Sequence, residues 1–332
     1  MFKRPPLRVA NRLVNASLML SLLFFTHACT RTDPSSDAAP PDAVQEAATT
    51  TPQTAPDGLV LPAVWQTAGL EAEITSIALA DALGSTIAVA FTNGNLQLFN
   101  FEGERITDPA PLNVSKLSNG RYFLLQDTPI TLFPAITQAG ELVTYIHGGT
   151  LEAPLQYPLD TGIEETVSGL CSASPESETD GVMRIGFWTA EAPAELKSGR
   201  IVEVRDRLIV LLDEPVVADQ AIAACVLTEQ GAQVYSEPAL AAVQYKRRYQ
   251  TYQLTLDRSG GYMAISPTGQ ITPFNIRDGL SFKMPSRPVD MAGTGDARGG
   301  GYPNGLLIVG GETAEGDHTV TFIDPSVLLE RR

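Results

Sequence analysis

From residue 59 onward, apolar and polar residues alternate in short runs, with the period of a strand rather than a helix. Residues 86–91 (TIAVAF) lead through Asn93-Gly94 into 96–101 (LQLFNF), where Leu96 and Leu98 share one parity and Phe99 and Phe101 the other. Two such runs across an Asn-Gly predict a β-hairpin, because that dipeptide accepts the positive φ angles that a tight turn requires. Glu102-Gly103-Glu104 turns the chain again. Comparable runs recur at 121–126, 142–146, 182–188, 201–205, 208–212, 232–235, 249–256, 262–266, 271–276, 306–309 and 320–323, with Gly, Asp and Asn between them. Helical signals are scarce.

Many short strands at close spacing predict a sandwich, a barrel or a propeller. Length separates these. The body, 59–332, is 274 residues long, oversized for a sandwich or barrel, whereas six blades of about 45 residues each fill it. The phrases AQVY (232–235) and GYMAIS (261–266), each after a turn, have the character of middle strands in successive blades. The expected fold is therefore all-β, a six-bladed β-propeller.

The segment before the body has a different chemistry. Residues 1–28 read as a signal peptide: Lys3, Arg4, Arg8 and Arg12 form a basic start, and the apolar stretch 13–25 is broken only by Asn15, Ser17 and Ser21. That stretch is shorter than a membrane-spanning helix needs. It ends in Thr26-His27-Ala28-Cys29, which resembles a bacterial lipobox, although Thr26 stands where a Leu is usual. Diacylation of Cys29 would tether the chain to a membrane; ordinary cleavage after Ala28 is the alternative. After Cys29, residues 30–58 carry Pro34, Pro40, Pro41, Pro52 and Pro56 among small and polar residues and no aromatic one. Such a segment buries too little apolar surface to offset its ordering entropy and reads as a disordered spacer. Together these features predict an exported cell-envelope lipoprotein, periplasmic or associated with the outer membrane.

The net charge is −15, and removing the four cationic residues of the leader takes it to −19. A surface this acidic repels nucleic acid, which excludes nucleic-acid binding as a working hypothesis. Apart from Cys29, the only cysteines are Cys171 and Cys225. In an oxidising compartment a disulfide is the simplest reading of the pair, with two buried thiols as the alternative.

Four phrases together resemble the alkaline β-propeller phytases, calcium-dependent enzymes that hydrolyse phytate. TIAVAFTNGNLQLFNFEGERI (86–106) is similar to that family's first blade. VSGLC (167–171) resembles its V-Y-G-L-C, and ACVLTEQGAQVYSE (224–237) its G-C-V-A-D-D-E-x-G-x-L-Y-I-A-E. YPNGLLIV (302–309) resembles the closing phrase Y-P-x-G-L-x-V. Cys171 and Cys225 fall in the two phrases where Cys often occurs in the family. The resemblance implies a propeller with a carboxylate-lined face that holds several Ca²⁺ ions against substrate phosphates, because hard Ca²⁺ demands many oxygen ligands.

The departures fall on those ligands. Where the family has D-D-P-A-I-W, this chain keeps only Glu73 before Ile74, and the Lys of the following turn is replaced around Thr92-Asn93. The Glu before Gly-Leu-Cys aligns with Thr166, next to Glu165. Further on, Ala223 stands for a Glu, Thr228 and Glu229 for paired Asp, and of a later acidic run only Glu237 remains. The acidic opening of the next blade is absent from Tyr249-Gln250-Thr251-Tyr252-Gln253, and the closing Gln-Asp-Gly is Gly310-Gly311-Glu312. The resemblance thus implies a scaffold whose calcium site is largely dismantled. Glu73 and Glu237 stay as metal candidates, and Glu165, Glu229 and Glu237 as catalytic ones.

Other constellations are weaker. His147 and His318 are the only histidines of the body, and neither Gly-x-Ser-x-Gly nor His-Glu-x-x-His occurs. Gly293-Thr294-Gly295 lacks the third Gly of a dinucleotide loop. Lys246-Arg247-Arg248 is the one dense basic cluster and could face a phosphate; a solvated loop end is the plainer reading. Two functions follow as expectations: a non-catalytic scaffold that binds a protein or a phosphorylated small molecule, or a phosphomonoesterase with a reduced Ca²⁺ site.

Overall fold

The computed structural model describes residues 59–81, 86–148, 150–173, 183–228, 231–247, 249–296 and 301–330. The expected signal peptide, Cys29, the expected spacer, Glu229 and Arg248 lie outside the described residues. What is described is almost wholly β, in strongly curled sheets, with one short helix near the end of the chain.

Strand β1 (Leu59–Gln66) opens the body. The strands that follow group in chain order into six mainly antiparallel runs, or units, which further parallel pairings join into four sheets. The first is β2 (Ile74–Asp81), β3 (Thr86–Phe91), β4 (Asn95–Asn100) and β5 (Ala110–Pro111). In the second, β6 (Val114–Leu117) and β7 (Gly120–Leu125) pair one after the other with β8 (Thr128–Thr137), followed by β9 (Leu142–His147) and β10 (Leu155–Tyr157). The short β11 (Leu159–Asp160) crosses to the third unit. That unit comprises β12 (Val167–Leu170), β14 (Met183–Thr189), β15 (Glu195–Val204), β16 (Arg207–Leu212) and β17 (Val216–Val217), while β13 (Ser172–Ala173), just after β12, pairs with the next unit. The fourth unit is β18 (Ala224–Thr228) and β19 (Gly231–Tyr235), with β13 running parallel to β18 as its third strand. The fifth is β20 (Ala239–Arg247), β21 (Gln250–Asp257), β22 (Tyr262–Ile265) and β23 (Ile271–Arg277). The sixth is β24 (Arg287–Thr294), β25 (Leu306–Glu312) and β26 (His318–Ile323), with α1 (Val327–Glu330) after it. Strand β1 supplies its fourth strand: Ala63–Gln66 runs antiparallel to β26, while Leu59–Pro62 runs parallel to β23.

Side-chain parity explains how the units stack. All six residues of β3 are buried, so neither face meets water. Ile87, Val89 and Phe91 point one way and pack with Ile308, Val320 and Phe322 of the sixth unit. Ala88 and Ala90 point the other way and pack with Val114, Phe133 and Tyr145 of the second. A strand covered on both sides needs apolar residues on both parities, hence the continuous run TIAVAF. The same arrangement repeats. Phe123, Ile130 and Leu132 meet Met183, Ile185 and Phe187 between units two and three. Trp188 and Leu196 meet Ile222 and Leu227 between three and four. Ala224 and Val226 meet Ala239 and Ala242 between four and five. Val243, Leu254 and Phe274 meet Met291, Leu307 and Val309 between five and six. Each fully buried Leu, Ile or Phe contributes roughly 1.5–3 kcal/mol of transfer free energy, so these six layers are what holds the body together.

Cys171 and Cys225 form a disulfide across the layer between units three and four, with Cα atoms 4.7 Å apart. Of the two expectations for the pair, the disulfide holds. Close packing there also dictates two glycines. A Cβ on Gly169 would lie 1.9 Å from the Trp188 ring, and one on Gly186 would lie 2.7 Å from Cys171 Sγ, so only glycine lets β12 and β14 approach this layer.

Candidate functional site

The first strands of the units converge on a cavity of about 20 Å³, room for about one water. Ile77, Lys116, Leu170, Ala224, Ala241 and Asp290 line it, one residue from each unit. A phosphate ester does not fit such a space. Its polar content is a hydrogen-bonded belt that ties unit to unit. Ser76 Oγ donates to Asp290 Oδ2 at 2.6 Å, and the backbone N–H groups of Ile77 and Met291 donate to the same carboxylate at 3.0 and 2.9 Å. Leu117 N–H donates to Ser76 Oγ at 3.1 Å. Asn119 Oδ1 accepts from Leu79 N–H at 2.9 Å, its Nδ2 donates to the Ala173 carbonyl at 2.9 Å, and Ser118 Oγ donates to the Cys171 carbonyl at 2.8 Å.

Asp290 is the chemically unusual member. Burial pushes its pKa above the usual carboxylate range, against the opposing pull of the Lys116 charge, the Ser76 hydroxyl and the two backbone donors. Two of the three donors, Ser76 and Ile77, belong to β2 of the neighbouring unit and the third to β24 itself, so this carboxyl is a structural acceptor.

The residues singled out in the sequence do not gather here. Glu73 is exposed ahead of β2, where its carbonyl accepts from Thr92 N–H at 2.9 Å. Glu165, ahead of β12, is ion-paired with Lys197 of β15. Glu237, between β19 and β20, takes a forked pair of bonds from Arg258 Nε at 2.8 Å and Nη2 at 2.9 Å. The bond from Arg258 holds the Glu237 carboxyl below its ordinary pKa. Among the described residues no three His, Cys, Asp or Glu side chains come together in a way that could hold a metal ion. Ca²⁺ takes six to eight oxygens, so the described carboxylates do not fit the expected calcium site.

The basic cluster also divides. Lys246 and Arg247 are successive residues of β20 and point to opposite faces. Arg247 Nη2 donates to the Pro303 carbonyl at 2.7 Å, and the neighbouring Tyr245 hydroxyl donates to the Asn304 carbonyl at 2.6 Å. That side of the strand anchors the connection before β25. Lys246 instead lines a cleft. Of the histidines, His147 ends β9, half-buried, with burial holding its pKa below the usual value. His318 opens β26, opposite Glu312.

That cleft, of about 480 Å³, is where the fourth unit stops short. Only three residues separate β19 from β20, so the chain has no room there for the outer strands that the other units possess. Strand β19 pairs with β18 alone among the described strands. Gln233 and Val234 on it are exposed. The facing sheet of unit five offers Gln244, Lys246, Thr251 and Gln253, and Tyr235 Oη donates to Gln253 Oε1 at 2.5 Å. No local motif marks these glutamines; their signal in the sequence is the eleven-step interval from Thr228 to Ala239, too short for two further strands.

No family model matches the chain, nor does any curated protein sequence.

Proposed function

We propose that this protein is a phytase-like six-bladed β-propeller, carried to the cell envelope and anchored through Cys29, that works as a non-catalytic binding scaffold. The propeller reading is supported by the six apolar layers, each lying between consecutive units and the last between six and one. It is also supported by β1, an N-terminal strand completing the C-terminal unit as a ring closure would. The likeness to the phytases rests on the phrases at 86–106, 167–171, 224–237 and 302–309. The envelope location and lipid anchor rest on the leader and Thr26-His27-Ala28-Cys29.

The observation that carries the non-catalytic reading is the separation of Glu165 and Glu237, each committed to its own cation in a different unit. A phosphatase of this class needs its carboxylates pooled on one ion cluster. Binding instead finds its place at β19. An edge strand presents unpaired backbone groups and is a template for strand addition, and the cleft beside it is lined by amide and hydroxyl groups. An extended segment of a partner protein is the occupant that this edge suits.

Site-specific photo-crosslinking in the envelope tests this. A photoreactive residue at Gln233 is expected to give a discrete adduct of higher mass, and the same residue at the fully exposed Leu280 (108%) none. Equal labelling from both sites, or none from Gln233, contradicts binding at this edge.

A further inference from the structure

At the junction of units six and one, three side chains form an open corner of about 350 Å³: Trp65, Tyr302 and Glu102. Trp65 is 51% exposed, and it is held in place. The register of β1 against β26 shifts between Ala63 and Trp65, and a bulge of this kind re-aims the side chain that follows it. The indole N–H then donates to the Glu102 carbonyl at 2.7 Å. The turn beneath is shaped for that contact: Gly103 has φ +76°, and a Cβ there would lie 3.3 Å from the indole nitrogen. Tyr302 is equally fixed. Its ring stacks on Phe322 at 6.2 Å between centroids and stands edge-on to Phe101 at 6.4 Å, and its hydroxyl donates to the Phe101 carbonyl at 3.2 Å. The Glu102 side chain is exposed beside them and makes no ion pair among the described residues. Burial first and the Glu102 charge second raise the Tyr302 hydroxyl to about 12.

We infer that this corner is a binding site for a quaternary ammonium group, which would rest on the faces of Trp65 and Tyr302 with its charge balanced by Glu102. Aromatic faces carry the negative lobe of the ring quadrupole and attract cations, most strongly at Trp. The corner favours a methylated cation over a primary one. An –NH₃⁺ group is strongly hydrated and needs three acceptors. Here the two nearest carbonyls each already accept one bond, Glu102's from the indole and Phe101's from Tyr302, so the carboxylate is the main acceptor left. A trimethylammonium group makes no such demand, and its methyl groups cover the apolar walls. The rigidity of both rings means that little ordering accompanies binding. This site is independent of the β19 edge and of the propeller reading.

Fluorescence titration of the full-length protein with choline tests the inference. The chain has two tryptophans; Trp188 is buried at 5%, so a ligand-induced change reports Trp65. Choline is expected to give a saturable change with a Kd on the order of 1 mM. Ammonium chloride at the same ionic strength is expected to give none. So is 3,3-dimethyl-1-butanol, which has the shape of choline without its charge. Glu102→Gln and Tyr302→Leu each weaken choline binding about fivefold or more, a size set by roughly 1 kcal/mol per contact. Glu102 is an exposed turn residue, so its variant keeps the test valid if Tyr302→Leu fails to fold. Equal binding of the neutral isostere, a response shared by ammonium, or unchanged affinity in Glu102→Gln overturns the assignment.

Discussion

Replacing both Cys171 and Cys225 with alanine is expected to lower the stability of the body by about 4 kcal/mol and its melting temperature by roughly 8 °C or more. The cystine closes a loop of 54 residues, and loop-closure entropy of the unfolded chain sets the size of the effect. Position adds to it. Both cysteines are buried, at 1% and 2% exposure, in the layer that holds the small fourth unit against the third. That unit has the least sheet of its own, and on its other side only a small layer of Ala224, Val226, Ala239 and Ala242. Thermal melts with and without reductant check the prediction. Reductant should bring the wild-type protein down to the double variant and leave the variant unmoved. A wild-type melt insensitive to complete reduction would contradict it.

Asp290→Ala is expected to cost about 3–4 kcal/mol. The substitution leaves the Ser76 hydroxyl and the N–H groups of Ile77 and Met291 without their acceptor, and each buried orphan costs roughly 1–3 kcal/mol unless water reaches it. The adjoining cavity admits about one water, which limits the loss. Asp290→Asn keeps the shape but turns an NH₂ toward one of the donors, so it loses less. The pH dependence has a fixed sign. Burial raises the folded-state pKa of Asp290, so between that value and the unfolded value of about 4 the folded state holds more protons than the unfolded one. Stability from this group is therefore full below about pH 4 and falls as pH rises through the folded pKa. Urea melts should show the wild-type advantage over Asp290→Asn shrinking from pH 4 to pH 7. An advantage that grows over that range would contradict the assignment.

The outer parts of the fold were legible because their strands read as strands. The hairpin across Asn93-Gly94 and the runs at 142–146, 208–212 and 320–323 all coincide with strands in the structure. The strands nearest the centre were not. ALAAVQYKR in β20 is alanine-rich and has little β character; RPVDMAGT in β24 carries Pro, Asp and Gly. Crowding at the centre selects small residues and tolerates such breakers, because neighbouring units decide the backbone there. Strand β1 went unread because its partners lie more than 200 residues away. The pairing of Cys171 with Cys225 was legible from compartment and number. The fates of Glu165 and Glu237 were not, since both depend on Lys197 and Arg258, cations that no local pattern connects to them.

The proposal of a phytase-like scaffold without its calcium site has one direct test. Purified protein is incubated with phytate, with and without millimolar Ca²⁺, and released phosphate is followed alongside the melting temperature. The account predicts no Ca²⁺-dependent release from a folded protein and no Ca²⁺-induced rise in melting temperature. Turnover that appears with Ca²⁺ and disappears with its chelation would contradict it.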